Sequence, residues 1–167
     1  ALKPGGCCVI QAITIADALF DDYRRGTDFI QQYVFPGGML PSPRALQAQA
    51  DAAGLVLAGD VAFGADYART LRHWHEAFLG ALGEVRRQGF TERFIALWRF
   101  YLAYCEAGFR AGSIDVHHYL LRHDGAPGGG LPWLETLQPH AVDRDVSIVS
   151  DLAGQRLQLA REHLARQ

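Results

Sequence analysis

The turn Lys3-Pro4-Gly5-Gly6 opens directly onto Cys7-Cys8-Val9-Ile10-Gln11-Ala12-Ile13-Thr14-Ile15. Proline and paired glycines break the chain, and a run rich in β-branched apolar residues then extends it as a strand. A near-continuous apolar strand suits the interior of a parallel sheet covered on both faces, and it needs a neighbour on each edge. The stretch reads as the inside of a domain rather than its beginning.

Working outward, residues 17–42 combine a short helical stretch, in which Phe29, Ile30 and Tyr33 recur at helical spacing, with the stop Pro36-Gly37-Gly38. Ser42 is a candidate N-cap, Pro43 fits the first helical position, and Gly54 fits the C-terminal cap. A strand is expected from Leu55 to Phe63, and helix followed by strand is α/β grammar. Two long aromatic-rich helices follow. Tyr67, Leu71, Trp74, Phe78, Leu82 and Val85 form one stripe, with Asp66 as candidate N-cap. Phe94, Leu97, Trp98, Tyr101, Leu102, Cys105 and Phe109 form the other, capped by Thr91 and ended by Gly112. These aromatics read either as helix–helix packing or, in part, as the lining of a slot for a lipid chain.

Residues 114–122 alternate as a third strand. The expected organisation is a domain over residues 1–123, a linker over 124–130 and a helical tail over 131–167. A terminal helix is expected from about residue 150 to 166, its apolar stripe buried against this domain or a second copy.

The chain has 167 residues, with 49% hydrophobic, 20% charged and a net charge of −2, which is a globular composition with no bulk pull toward nucleic acid. No apolar run approaches the roughly 18 residues of a spanning helix, and no secretory signal is visible. Cys7, Cys8 and Cys105 lie in apolar surroundings without a CxxC spacing and read as reduced, buried thiols of a cytoplasmic protein. His73 and His75 are two apart on a helix, and His117 and His118 are adjacent on a strand, so neither pair can chelate one metal ion together. No GxSxG, HExxH or P-loop pattern occurs.

Three segments carry a resemblance. The turn at residues 2–6 before a buried strand resembles the approach to the fifth strand of class I S-adenosylmethionine-dependent methyltransferases. Phe29-Ile30-Gln31-Gln32-Tyr33-Val34-Phe35-Pro36-Gly37-Gly38-Met39-Leu40-Pro41-Ser42 resembles, more sharply, the segment that cyclopropane-fatty-acyl-phospholipid synthases and mycolic acid cyclopropane synthases place after that strand. Residues 63–74 and 92–116 look like later signatures of the same family. The resemblance runs in order from Leu2 to about Arg122, and the tail from Asp124 matches no pattern.

The resemblance implies the C-terminal part of a Rossmann-like α/β methyltransferase sheet: strands five, six and seven with an antiparallel ending, two long helices on the lipid side, and a C-terminal helix. It implies methyl transfer from S-adenosylmethionine to a cis double bond of a phospholipid acyl chain, through a carbocation-like centre that loses a proton to a bound bicarbonate. Carried over, Gln11 occupies a strand-five position held by histidine in well-known members, Ile13 offers its backbone amide, and Tyr67 its hydroxyl. Gln11 can donate a hydrogen bond to an anion but carries no charge. Without the resemblance, Gln11 reads as a polar strand-end residue and Tyr67 as a core-facing helix tyrosine. Trp74, Trp98 or Tyr101 could steady a developing cation.

A class I methyltransferase holds its cofactor with a glycine-rich turn after strand one. Gly37-Gly38 and Gly128-Gly129-Gly130 do not fit that turn. The expectation is therefore a chain that by itself binds no S-adenosylmethionine and transfers no methyl, its strand-five edge bare and hidden in a homo-oligomer or against a separately supplied N-terminal half. A non-enzymatic paralogue serving oligomerisation or lipid binding is the rival. The expected location is cytoplasmic, with peripheral contact at the inner membrane face. There Arg24-Arg25 and Arg86-Arg87 either meet anionic headgroups or form a solvated surface.

Overall fold

The computed structural model describes residues 2–123. The expected linker and terminal helix lie outside the described residues. Three strands, β1 (Cys7–Ile15), β2 (Leu55–Ala62) and β3 (Ile114–His123), form a mixed α/β arrangement with short helices α1 (Asp17–Tyr23), α2 (Phe29–Tyr33) and α3 (Pro43–Ala52) before β2. Helices α4 (Gly64–Gly80), α5 (Leu82–Arg87) and α6 (Glu92–Arg110) fill the interval between β2 and β3.

The strand order is β1-β3-β2, with β3 antiparallel to both neighbours. The last strand thus inserts between the first two, which is the antiparallel ending expected. Its central place explains its burial. Val116 is 0% exposed and Tyr119 1%, on opposite faces, and Leu120 and Leu121 are equally enclosed.

Among the described residues β1 has a neighbour on one edge, which agrees with the expected bare strand-five edge, but it departs from the reading of a strand covered on both faces, since Cys7, Val9 and Ile10 are exposed. The Cys7 thiol is therefore not buried as expected; Cys105 is. Apolar composition reports what a strand can tolerate on its faces, not how many neighbours it has.

The helix boundaries follow local chemistry. The Ser42 hydroxyl accepts the Ala45 N–H at 3.2 Å to start α3, and the Thr91 hydroxyl accepts the Phe94 N–H at 3.2 Å to start α6. Gly54 and Gly112, with φ of 70° and 67°, take the left-handed conformation that ends α3 and α6. The Ser42 hydroxyl also donates to Asp17, and this bond is the main cause holding the Asp17 carboxyl below its usual range. α2 starts with a capping box, Asp28 accepting from the Gln31 N–H while the Gln31 side chain accepts from the Asp28 N–H.

Two expectations for the first long helix are corrected. Its stripe does not belong to one helix: Ala81, at φ −97° and ψ 6°, separates α4 from α5. Gly80 and Gly83 flank the break, and glycine weakens a helix by about 1 kcal/mol relative to alanine. Asp66 is not the N-cap, because the helix begins earlier, with Phe63 in the cap position. α4 and α6 pack along their lengths, burying Leu71 and Phe78 with Phe94, Ile95, Trp98, Leu102 and Cys105. Burial pushes the Cys105 thiol up to about 12.

Candidate functional site

The register of β1 decides where its amides point. Ala16 donates its N–H to the Ser113 carbonyl at 2.9 Å, and the Gly6 carbonyl accepts the His123 N–H at 2.9 Å. In an antiparallel ladder such pairs alternate with pairs that exchange no hydrogen bonds. The even-numbered residues of β1 therefore bond to β3, and the odd-numbered ones aim their amides at the opposite edge. Ile15 confirms the direction, donating outward to the Pro41 carbonyl at 3.0 Å. Ile13, opposite Val116, aims its N–H to the same outer edge.

Side chains opposite one another across a ladder share a face. Gln11 lies opposite His118, and His118 Nε2 and Gln11 Oε1 are within hydrogen-bond distance at 2.9 Å. The Phe63 ring packs against His118 with centroids 4.7 Å apart. Tyr67 follows one helical turn later, its N–H donating to the Phe63 carbonyl at 3.1 Å. Its ring rests against Phe109 at 5.1 Å and Trp74 at 6.1 Å. Gln11 and Tyr67 are thus linked through His118 and Phe63. No hydrogen bond joins Gln11, Ile13 and Tyr67 directly among the described residues, and none there engages the Tyr67 hydroxyl.

The start of α4, and with it Tyr67, is pinned to the sheet by Asp115. Its Oδ1 accepts the Gly64 N–H at 2.7 Å and its own neighbour's, the Val116 N–H, at 2.7 Å. Gly64 is buried, and a Cβ there would meet the Asp115 carboxylate and the Phe109 ring. Only glycine lets the helix start approach β3 this closely.

On the other face of β3, His117 Nδ1 lies 2.7 Å from Asp60 Oδ1, and the His117 ring stacks on Tyr119 at 5.0 Å. Burial pushes the Tyr119 phenol up to about 12. The two adjacent histidines therefore serve different surroundings, as the strand period requires. Of the aromatics considered for a cation, Trp98 is core, stacked on Phe94, whereas Trp74 flanks Tyr67. Arg24, Arg25, Arg86 and Arg87 each pair with a carboxylate, of Asp21, Asp22, Glu92 and Glu84 respectively, at exposed positions.

His118 is the residue that reading the sequence missed. The available signal was the antiparallel pairing of the first and last strands, which sets Gln11 and His118 side by side once a register is assigned. For the cofactor, Gly37 and Gly38 close a turn in which the Gly38 N–H donates to the Phe35 carbonyl, after a helix and not between a strand and a helix. The described residues hold no turn suited to a nucleotide cofactor. Among the described residues, Ile13 has an outward amide, Gln11 a side-chain amide and Tyr67 a hydroxyl without a hydrogen-bond partner.

Comparison with known proteins agrees with this architecture. The sequence profile described as mycolic acid cyclopropane synthetase matches residues 1–119. Tuberculostearic acid methyltransferase UfaA1 of Mycobacterium tuberculosis is 39% identical over 127 residues, covering 75% of this chain and 30% of that protein. Cyclopropane-fatty-acyl-phospholipid synthase of Escherichia coli K12 is 40% identical over 88 residues, covering 53% of this chain and 22% of that enzyme. The chain thus spans about a third or less of these relatives. The cyclopropane synthase MmaA2 from Mycobacterium tuberculosis superposes with a TM-score of 0.64 at 27% identity, over 72% of this chain and 45% of that one. Mycolic acid cyclopropane synthase CmaA1, crystallised with SAH and CTAB, gives 0.63 at 27% identity, over 70% and 44%. The strand order, the matched profile and these structural likenesses have one reading: the chain belongs to the mycolic acid cyclopropane synthetase family of methyltransferases.

Proposed function

We propose that this chain is the acceptor-side portion of an S-adenosylmethionine-dependent methyltransferase acting on unsaturated phospholipid acyl chains, and that Gln11, Ile13 and Tyr67 form one wall of its bicarbonate site. The observation that carries the reading is the outward amide of Ile13 two residues from Gln11, on a strand tied by β3 to the helix of Tyr67. Bicarbonate, when bound, supplies a base for the proton lost from the alkylated acyl chain. The residues of this chain do the holding. The Ile13 N–H and the Gln11 amide donate from the strand, and the Tyr67 hydroxyl donates from α4. Phe109 and Trp74 flank the Tyr67 ring with apolar surface, which strengthens hydrogen bonds to an anion.

The reading places the S-adenosylmethionine pocket in a separate cofactor-binding portion, with this chain alone transferring no methyl; Gly37 and Gly38, which close a turn after a helix, are not such a pocket. The test mixes this chain with a separately produced cofactor-binding half of the Escherichia coli relative. Transfer of a labelled methyl from S-adenosylmethionine to vesicles of an unsaturated phospholipid is then followed. Label in lipid with both parts and none with either alone supports the reading. Label with this chain alone contradicts it. So does silence from the mixture when the same half is active with its own C-terminal portion.

A further inference from the structure

We infer that His118 is a positioning residue of the anion site: by donating to Gln11 Oε1 it turns the Gln11 side-chain NH2 outward as a hydrogen-bond donor for a small oxyanion. The inference rests on the reading of Gln11, Ile13 and Tyr67 as the wall of a bicarbonate site and adds a residue that the wall requires.

A glutamine amide has two faces of opposite character, an accepting oxygen and a donating nitrogen. Free to rotate on an exposed strand, it presents its oxygen to an anion as readily as its NH2, and the first arrangement is repulsive. His118 removes the ambiguity. Its Nε2 lies 2.9 Å from Gln11 Oε1, and since an amide oxygen only accepts, the pair requires the Nε2–H tautomer of His118, which leaves the NH2 unused by it. The orientation of the ring is in turn restricted. Phe63 packs on it at 4.7 Å, and β2 approaches from the other side of β3, with Val61 directly opposite His118. Phe63 is also the residue whose carbonyl receives the Tyr67 N–H. One ring contact therefore joins the strand that carries Gln11 to the residue whose carbonyl receives the Tyr67 N–H, and His118 fixes which end of the Gln11 amide is free to donate. Pre-orientation of this kind raises affinity by removing orientations that would otherwise be lost on binding.

A hydrogen bond to a charged group is worth more than a neutral one, and losing the correct orientation of one donor corresponds to about tenfold in affinity. The experiment is NMR of the chain in carbonate-free buffer, titrated with 13C-labelled bicarbonate, with chloride as control. The Gln11 side-chain NH2 and the Ile13 amide are followed. In the wild type both signals shift saturably with bicarbonate and not with chloride. His118→Ala weakens this binding about tenfold with its fold intact. In a Gln11→Ala background His118→Ala has no further effect, because it acts through Gln11. The exchange Q11H with H118Q, which keeps a hydrogen-bonded pair across the strands, restores most of the affinity.

Unchanged affinity in His118→Ala, or equal losses from His118→Ala with and without Gln11, overturns the positioning role while leaving the bicarbonate reading standing. Should His118→Ala fail to fold, His118→Phe, which keeps a ring against Phe63 and lacks the N–H, gives the same test. Absence of any bicarbonate-specific shift in the wild type overturns both, and absence of methyl transfer with the shifts present touches the transfer reading alone.

Discussion

Replacing Gly64 with alanine strikes the joint that places Tyr67. The added Cβ would lie 3.0 Å from Asp115 Cγ and 3.1 Å from Phe109 Cδ1, and closer still to the Asp115 oxygen that accepts the Gly64 N–H. Neither neighbour yields freely. Asp115 also accepts the Val116 N–H at 2.7 Å, and Phe109 is buried between α4 and α6. Forcing a methyl into packed surroundings costs about 1–3 kcal/mol. Displacing a carboxylate that accepts backbone N–H groups costs about 1.5–3 kcal/mol more. Alanine returns less than about 1 kcal/mol through its helix preference, because the position is the first of the helix. The net expectation is a loss of about 1.5–6 kcal/mol, read as a drop of roughly 6–24 °C in Tm for a domain of this size. Thermal and urea unfolding followed by circular dichroism measure it. Gly83→Ala is the control: nothing lies within 4 Å of a Cβ there, and its stability should stay level or rise. If Gly64→Ala unfolds within about 0.5 kcal/mol of the wild type, the close approach of α4 to β3 is wrong, and the placement of Tyr67 falls with it.

Other outcomes follow from the same geometry. Leu102→Ala, at a position 3% exposed between the long helices, should cost about 2–5 kcal/mol by denaturant titration. Ser42→Ala removes the α3 cap and the hydroxyl that keeps Asp17 ionised; it should cost about 1 kcal/mol and raise the Asp17 titration midpoint by NMR. Cys105 and Tyr119 are both pushed up to about 12 by burial, so between their unfolded values of 9.0 and 10.0 and that point the unfolded chain releases protons that the folded one keeps. Stability should therefore fall as pH rises through that window, by up to about 1.4 kcal/mol per pH unit for each group, and Cys105→Ala should flatten part of the slope. At pH 8, an alkylating reagent should label exposed Cys7 and spare Cys105.

Much of the fold was legible because its signals are local. Ser42 and Thr91 cap by side chains within three residues, Gly54 and Gly112 end helices at their own φ, and the α6 stripe repeats inside one element. What was not legible depends on contacts distant in sequence. The apolar run at residues 7–15 looks the same whether it lies inside a sheet or at the edge of a three-stranded one, and so Cys7 was read as buried. The break at Ala81 was hidden because the apolar stripe continues across it, Leu82 and Val85 keeping the spacing while the backbone leaves the helix. Gln11, Ile13 and Tyr67 came from resemblance, since nothing in their own surroundings marks them. His118 required the pairing of strands more than a hundred residues apart.

The proposed function divides the labour: this chain holds the anion and contacts the acceptor, and the nucleoside of the cofactor lies elsewhere. Isothermal calorimetry of the purified chain with S-adenosylmethionine tests it most directly. The account predicts no saturable heat; a stoichiometric one-site isotherm with the chain alone would contradict it.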